Sequence, residues 1–273
     1  MTDTSTVQRA LGTQGFERRE IDLVGVRTVY YEAGQGPVVL YFHGGGAFHG
    51  VQFAKSWTKH FRVICPFHPG FSESDDDTRI GAMQHYVLHY LDFLDALKLG
   101  RIHLTGLSLG GRLAAEFAVS YSDRLKSLVI GAPGGLEIPE HPPAPLGTLS
   151  MDQMISHLVV DMAVLNPYIP PIVPVEEFAQ ARMREGQMAG KVMMSPTSLD
   201  HWMHRITVPT LLLWGDKDRV LPVGRAKAWE AQLPKATTTV RIIEGIGHLI
   251  FDESPKAVQI AEDFMLAAEA KAG

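Results

Sequence analysis

Five consecutive residues, Gly106-Leu107-Ser108-Leu109-Gly110, carry the most specific chemical signal in the chain. An apolar run from Ile102 to Leu104 precedes them, and a stretch with helical spacing from Arg112 to Ser120 follows. A serine held at a sharp strand-to-helix turn has its hydroxyl lifted above the sheet, and glycines on either side let backbones approach without a Cβ in the way. The start of the following helix, with its free N–H groups and dipole, favours developing negative charge beside that hydroxyl. This is the setting of a nucleophile in acyl transfer. A serine hydroxyl is weak at neutral pH, so it needs a base, and the base needs an orienting acid. Both occur further along in the order Asp, then His. Thr210 to Trp214 reads as a strand ending at Gly215, with Asp216 and Asp218 in the loop beyond it. His248 follows the last strand run, within the glycine-rich Gly245-Ile246-Gly247-His248.

Attack on a carbonyl puts negative charge on its oxygen, which backbone N–H groups must stabilise, each by roughly 3 to 4 kcal/mol. Leu109 supplies one donor. Gly45 or Gly46, in the run His43-Gly44-Gly45-Gly46 after the first buried strand, supplies the second, and His43 itself is expected to hold that loop. The loop lacks the lysine and the serine or threonine that would close a phosphate-binding loop. His201 and His204 stand three apart with no carboxylate or cysteine partner at metal-ligand spacing, so no metal and no cofactor are expected.

The elements that must position these groups follow from hydrophobic patterning. Residues 17 to 32 alternate around Gly25 as an antiparallel edge hairpin. Apolar runs then recur at Val38 to Phe42, Phe61 to Pro66, Ile102 to Leu104, Leu128 to Ile130, Thr210 to Trp214 and Thr239 to Ile243, as strands buried on both faces do. Helical spacing fills the intervals at Met83 to Leu97, Arg112 to Ser120, Val223 to Leu233 and Ala257 to Ala268. The fold class is therefore α/β, a mostly parallel sheet flanked by helices, with ligands at the carboxyl ends of the strands. From Pro133 to about Arg205 the alternation stops, prolines crowd, and eight of the eleven methionines gather. This reads as an inserted cap. Its methionines either adapt to varied apolar groups or fasten the cap to the body.

A net charge of −5 and a pI near 6.2 leave no basic surface for nucleic acid. The 45% hydrophobic content suffices for a large core. The polar leader lacks the apolar segment of a secretory signal, and no stretch reaches the ~20 apolar residues of a membrane span, so the default location is cytoplasmic. Asp75 to Asp77 reads as a solvated loop. Cys65, alone of its kind, reads as a small buried hydrophobe.

Four signatures in order resemble the α/β-hydrolase superfamily from about residue 17 to 268: His43-Gly44-Gly45-Gly46, His68-Pro69-Gly70-Phe71-Ser72-Glu73-Ser74, Gly106 to Gly111, and Trp214-Gly215-Asp216-Lys217-Asp218 with Gly247-His248 beyond. The resemblance implies that the acid is Asp218 rather than Asp216, three residues after the glycine of the Trp-Gly pair. It implies that residues 135–205 form a mobile helical cap over a core made of 1–134 and 206–273, and it offers His68 and Arg184 as candidate substrate contacts. Serine at 108 separates the chain from dehalogenases and epoxide hydrolases, whose nucleophile is aspartate. The form Gly-Leu-Ser-Leu-Gly-Gly is similar to that of enol-lactonases and small esterases. The expected activity is thus hydrolysis of a carboxylic ester or related small acyl substrate bearing an apolar group, by a monomer or homodimer without nucleic-acid or membrane partners. The alternatives are a carbon-carbon bond hydrolase of a vinylogous diketone acid, whose carboxylate a cap arginine such as Arg182 or Arg184 would hold, and a non-catalytic ligand-binding homologue.

Overall fold

The computed structural model describes residues 12–47, 50–165, 175–197 and 199–272. Eight strands form one sheet: β1 Glu17–Leu23, β2 Val26–Ala33, β3 Val38–Phe42, β4 Arg62–Pro66, β5 Ile102–Leu107, β6 Leu125–Gly131, β7 Thr210–Gly215 and β8 Thr238–Ile243. Their order across the sheet is β1-β2-β4-β3-β5-β6-β7-β8. The pairs β1/β2 and β2/β4 are antiparallel and the others are parallel. The hairpin β1/β2 closes through two residues, Val24 and Gly25, with φ of 55° and 81°. That is the left-handed two-residue turn whose twist matches antiparallel strands.

Every residue of β5 and of β7 is buried, because helices cover both faces. The eight α-helices among the described residues are α1 Met83–Ala96, α2 Leu109–Tyr121, α3 Met151–Leu158, α4 Val175–Met193, α5 Leu199–Trp202, α6 Arg225–Ala231, α7 Ile250–Glu253 and α8 Pro255–Ala272. The pleat of β3 separates the two layers. Phe42 meets Tyr90 of α1 on one face, while Tyr41 meets Phe251 of α7 and Phe53 of a 3-10 helix, Gln52–Lys59, on the other. Trp57, Trp214 and Trp229 are fully buried, each worth at least the ~1.5 to 3 kcal/mol of a large apolar side chain. Two of their indoles find backbone acceptors, Trp57 at Val258 O (3.0 Å) and Trp214 at Leu221 O (2.7 Å).

Between β6 and β7 the described residues contain helices and turns but no strand. Cys65 is buried in β4, and burial pushes its thiol up. The expectation of a solvated run holds for the exposed Asp75 and Asp76 side chains and is corrected at Asp77. Each aspartate faces an arginine, Asp75 with Arg27 (2.7 Å), Asp76 with Arg184 (2.5 Å) and Asp77 with Arg79 (2.8 Å), and Asp77 is buried. Arg27 and Arg184 lie far from the run in sequence and Arg79 stands only two residues from Asp77, so charge counting along the chain does not reveal the pairs. Among the described residues, no helix is long and apolar enough to cross a membrane.

Candidate active site

Ser108 stands between β5 and α2 with φ 57° and ψ −114°, a conformation that costs a non-glycine residue on the order of 1 to 3 kcal/mol. The surroundings hold it there. Its N–H donates to Gly131 O (2.9 Å), and its carbonyl accepts from Arg112 N (2.9 Å). The start of α2 is pressed against the end of β3, so a Cβ on Gly110 would lie 2.1 Å from Phe42 O. Glycine is required there by lack of space. Ser108 is half-buried at the carboxyl end of the sheet.

The loops after β7 and β8 meet at the same end. Gly215 permits this, since a Cβ there would lie 2.2 Å from Ile246 O and 2.3 Å from Gly247 O. Beyond it, Asp218 is buried and accepts three hydrogen bonds. Oδ1 takes Val220 N and Leu221 N (both 2.8 Å), and Oδ2 takes His248 Nδ1 (2.8 Å). An Nδ1–H pointing at a carboxylate leaves Nε2 as the imidazole's basic nitrogen. Asp216 faces elsewhere, accepting Gly245 N (2.6 Å) beside Lys217. No hydrogen bond joins Ser108 Oγ to His248 among the described residues. Such contacts commonly tighten only around a substrate.

The loop after β3 lies over the serine, with a Cβ built on Gly44 falling 3.5 Å from the Ser108 Cβ. The N–H groups of Gly45 and Gly46 have no acceptor among the described residues. The N–H of Leu109 opens α2, where the helix itself offers no acceptor. Two histidines fix this loop. His43 Nε2 accepts His68 N (3.0 Å), so Nδ1 carries the proton and donates to Gly44 O (2.7 Å), turning the following N–H of Gly45 the opposite way. His68 Nε2 donates to His43 O (3.1 Å) and Nδ1 accepts the hydroxyl of Tyr90 (2.5 Å). Burial, then the neighbouring His43, holds the His68 imidazole well below its ordinary range, so this network is neutral. His68 is fully buried with both ring nitrogens engaged, which leaves neither for a substrate.

Helix α4 covers these loops. A Cβ on Gly45 would lie 3.2 Å from the Ala189 Cβ, and one on Gly70 would lie 2.8 Å from Met188 Cε. Met188 and Met193 therefore turn toward the loops, while Met183 and Met194 are exposed. Arg184 is on the exposed side, paired with Asp76, whereas Arg182 is buried against Glu185. Sequence reasoning does not single out Arg112, which is fully buried in α2 and donates to the carbonyls of Val192, Met193 and Ser195 at the end of α4 (3.4, 2.7 and 3.3 Å). It also passes over Tyr90, Glu185 and Glu253. Their partners are backbone groups or loops distant in the chain, which leave no residue pattern to read. Among the described residues, no cluster of three or more His, Cys, Asp or Glu side chains is arranged to hold a metal.

Comparison with known proteins agrees with this architecture. The chain is 28% identical over 242 residues to 2-hydroxy-6-oxo-6-phenylhexa-2,4-dienoate hydrolase of Comamonas testosteroni, covering 75% of this chain and 79% of that one. It is 27% identical over 291 residues to a monoacylglycerol lipase of Bos taurus, covering 94% and 84%. Among solved structures, a bacterial membrane phospholipase A superposes with a TM-score of 0.82 at 24% identity, covering 97% of this chain and 89% of that one. The family model for the alpha/beta hydrolase family matches residues 39–259. Most of the sheet and all three loops at its carboxyl end fall inside that match, and the chain belongs to the alpha/beta hydrolase family.

Proposed function

We propose that this hydrolase cleaves a carboxylic ester or a related small acyl substrate through Ser108, His248 and Asp218. The carrying observation is convergence: a serine in a strained turn and a buried His248–Asp218 pair, from loops far apart in sequence, stand at one end of one sheet. His248 Nε2 takes the Ser108 proton as Oγ bonds to the acyl carbon. Asp218 keeps the proton on Nδ1 and stabilises the imidazolium. The carbonyl oxygen, now an oxyanion, is met by the N–H groups of Leu109 and of Gly45 or Gly46. The alcohol leaves with the proton from His248, and a water activated by the same imidazole clears the acyl-enzyme. In this reading residues 135–205 act as a cap, and Met188 and Met193 offer adaptable apolar contact. The resemblance to the monoacylglycerol lipase supports an ester substrate.

A p-nitrophenyl ester series from acetate to dodecanoate tests the assignment. Wild-type turnover should fall by at least about 10⁴-fold in Ser108→Ala, and the chain-length optimum sizes the pocket. A variant that kept wild-type turnover would sink the mechanism. A second reading, hydrolysis of a carbon-carbon bond in a vinylogous diketone acid, draws support from the resemblance to the dienoate hydrolase. It requires a cation for the substrate carboxylate. Arg184, exposed and paired with Asp76, is the candidate for that cation, so loss of diketone turnover in Arg184→Ala would favour this reading over the ester one.

A further inference from the structure

We propose that Glu253 and Glu185 are positioning residues that assemble the His248 loop and the oxyanion loop against the helical segment between β6 and β7, so that the site is complete only while that segment is seated. The inference rests on the serine-hydrolase reading above.

The turn that carries His248 spends three consecutive N–H groups on or through this segment. His248 N and Leu249 N both donate to Leu158 O, the last residue of α3 (2.9 and 3.0 Å). Gly247 N donates to Glu253 Oε2 (2.8 Å). The other oxygen of the same carboxylate accepts Val160 N (2.6 Å) and Asp161 N (3.2 Å). One carboxylate thus binds the histidine loop with one oxygen and the helical segment with the other. The fit is close, since a Cβ on Gly247 would lie 2.8 Å from Glu253 Oε2, 3.1 Å from Leu158 O and 3.2 Å from Val159 Cα.

Glu185 makes the corresponding connection on the far side of the serine, from the opposite partner. It belongs to the helical segment, on α4, and its carboxylate is buried. It accepts Ala47 N (3.3 Å) next to the Gly45-Gly46 donors, and Ser72 N (3.1 Å) at a residue held at φ 48°. Arg182 balances its charge. Both loops are therefore fastened by carboxylate-to-amide bonds to the segment between β6 and β7, one at the residues after α3 and one from α4. Charge-assisted bonds of this kind are stronger than neutral ones, and removing the acceptor leaves the buried Ala47 N–H and the part-buried Gly247 and Ser72 N–H groups without their partner. Neither glutamate touches the reacting atoms. Their effect is on where Nε2 of His248 and the oxyanion donors stand.

The test uses the full-length chain with Glu253→Ala, Glu253→Gln, Glu185→Ala and the double variant Glu185→Ala/Glu253→Ala. Three quantities are measured: kcat and KM on p-nitrophenyl butyrate, the rate at which a p-nitrophenyl phosphonate labels Ser108, and the melting temperature. Glu253→Ala should lower kcat and the labelling rate together by about 10- to 100-fold with KM changed less than about threefold, as expected when alignment rather than binding is lost. Glu253→Gln, isosteric and retaining one carbonyl acceptor, should recover part of the loss, which also guards against a variant that fails to fold. Because both glutamates seat the same segment, the double variant should lose less than the product of the single losses. Single variants with kcat within twofold of wild type, a fall in melting temperature alone, or fully multiplicative losses would overturn the coupling while leaving the serine mechanism in place. Wild-type protein that neither turns over ester nor takes the phosphonate would overturn both.

Discussion

Asp218 shows how much of this site depends on single atoms. Its Oδ1 is occupied by Val220 N and Leu221 N, so an asparagine at 218 must keep its carbonyl there and turn its amide toward His248. Nδ1 then becomes an acceptor, the proton moves to Nε2, and the imidazole can no longer take one from Ser108. Asp218→Asn should therefore lower kcat by about 10³- to 10⁴-fold with little change in melting temperature, because shape and hydrogen-bond count are kept. Steady-state kinetics with a parallel thermal scan checks this, and an asparagine variant within tenfold of wild type would remove Asp218 from its proposed role. The order Ser, Asp, His and the glycine-rich loops were readable in the residues because this chemistry demands particular side chains at strand ends. Arg112, Glu185 and Glu253 were not, since they act on backbone N–H and carbonyl groups that every residue possesses. His68 was readable as part of a signature but not as a buried support, because its role depends on Tyr90 and on the loop of His43.

At the scale of elements, alternation identifies β1 and β2 and apolar runs identify the six strands from β3 to β8, and β3 matches its run residue for residue at Val38–Phe42. The runs for β5 and β6 fall short of Ile102–Leu107 and Leu125–Gly131, because Gly106, Lys126 and Ser127 interrupt apolar patterning while the ladder continues. Sheet order is not in the patterning, as β4 pairs outside β3 for reasons of crossover handedness and packing. Two substitutions separate local conformation from close approach. Val24 is a β-branched, largely exposed residue at φ 55°, where asparagine is far better tolerated. Val24→Asn should stabilise the protein by about 0.5 to 1 kcal/mol. Gly110→Ala places a Cβ against the Phe42 carbonyl at the β3 end and should destabilise it by more than about 2 kcal/mol, displacing the serine turn as well. Urea midpoints read both, and equal signs for the two changes would contradict this account of the β1/β2 turn and of the β3–α2 contact.

For the whole molecule, the buried histidines set how the fold meets acid. His68, His89 and His103 all have their imidazoles held below the ordinary value, in each case first by burial. For His89 the value falls to about 4 from 6.5, with Asp77 opposing the shift and Arg79 adding to it. A folded-state value below the unfolded one means that the unfolded chain binds the proton first. Stability from this residue is fully present above pH 6.5 and declines as pH falls toward 4. Across that window, by about pH 4.5, His89 alone should remove on the order of 2 to 3 kcal/mol. His89→Gln, which retains a donor for the hydroxyl of Thr28, should shrink the difference in urea midpoint between pH 7.5 and pH 4.5, with His68 and His103 sustaining the remainder. His68 lies in the network under the oxyanion loop, so its protonation should distort that loop as it destabilises the core. Activity loss in acid should then include a component that tracks unfolding. An identical pH dependence of the midpoint in wild type and His89→Gln would show that His89 is not the group whose burial makes the fold acid-sensitive.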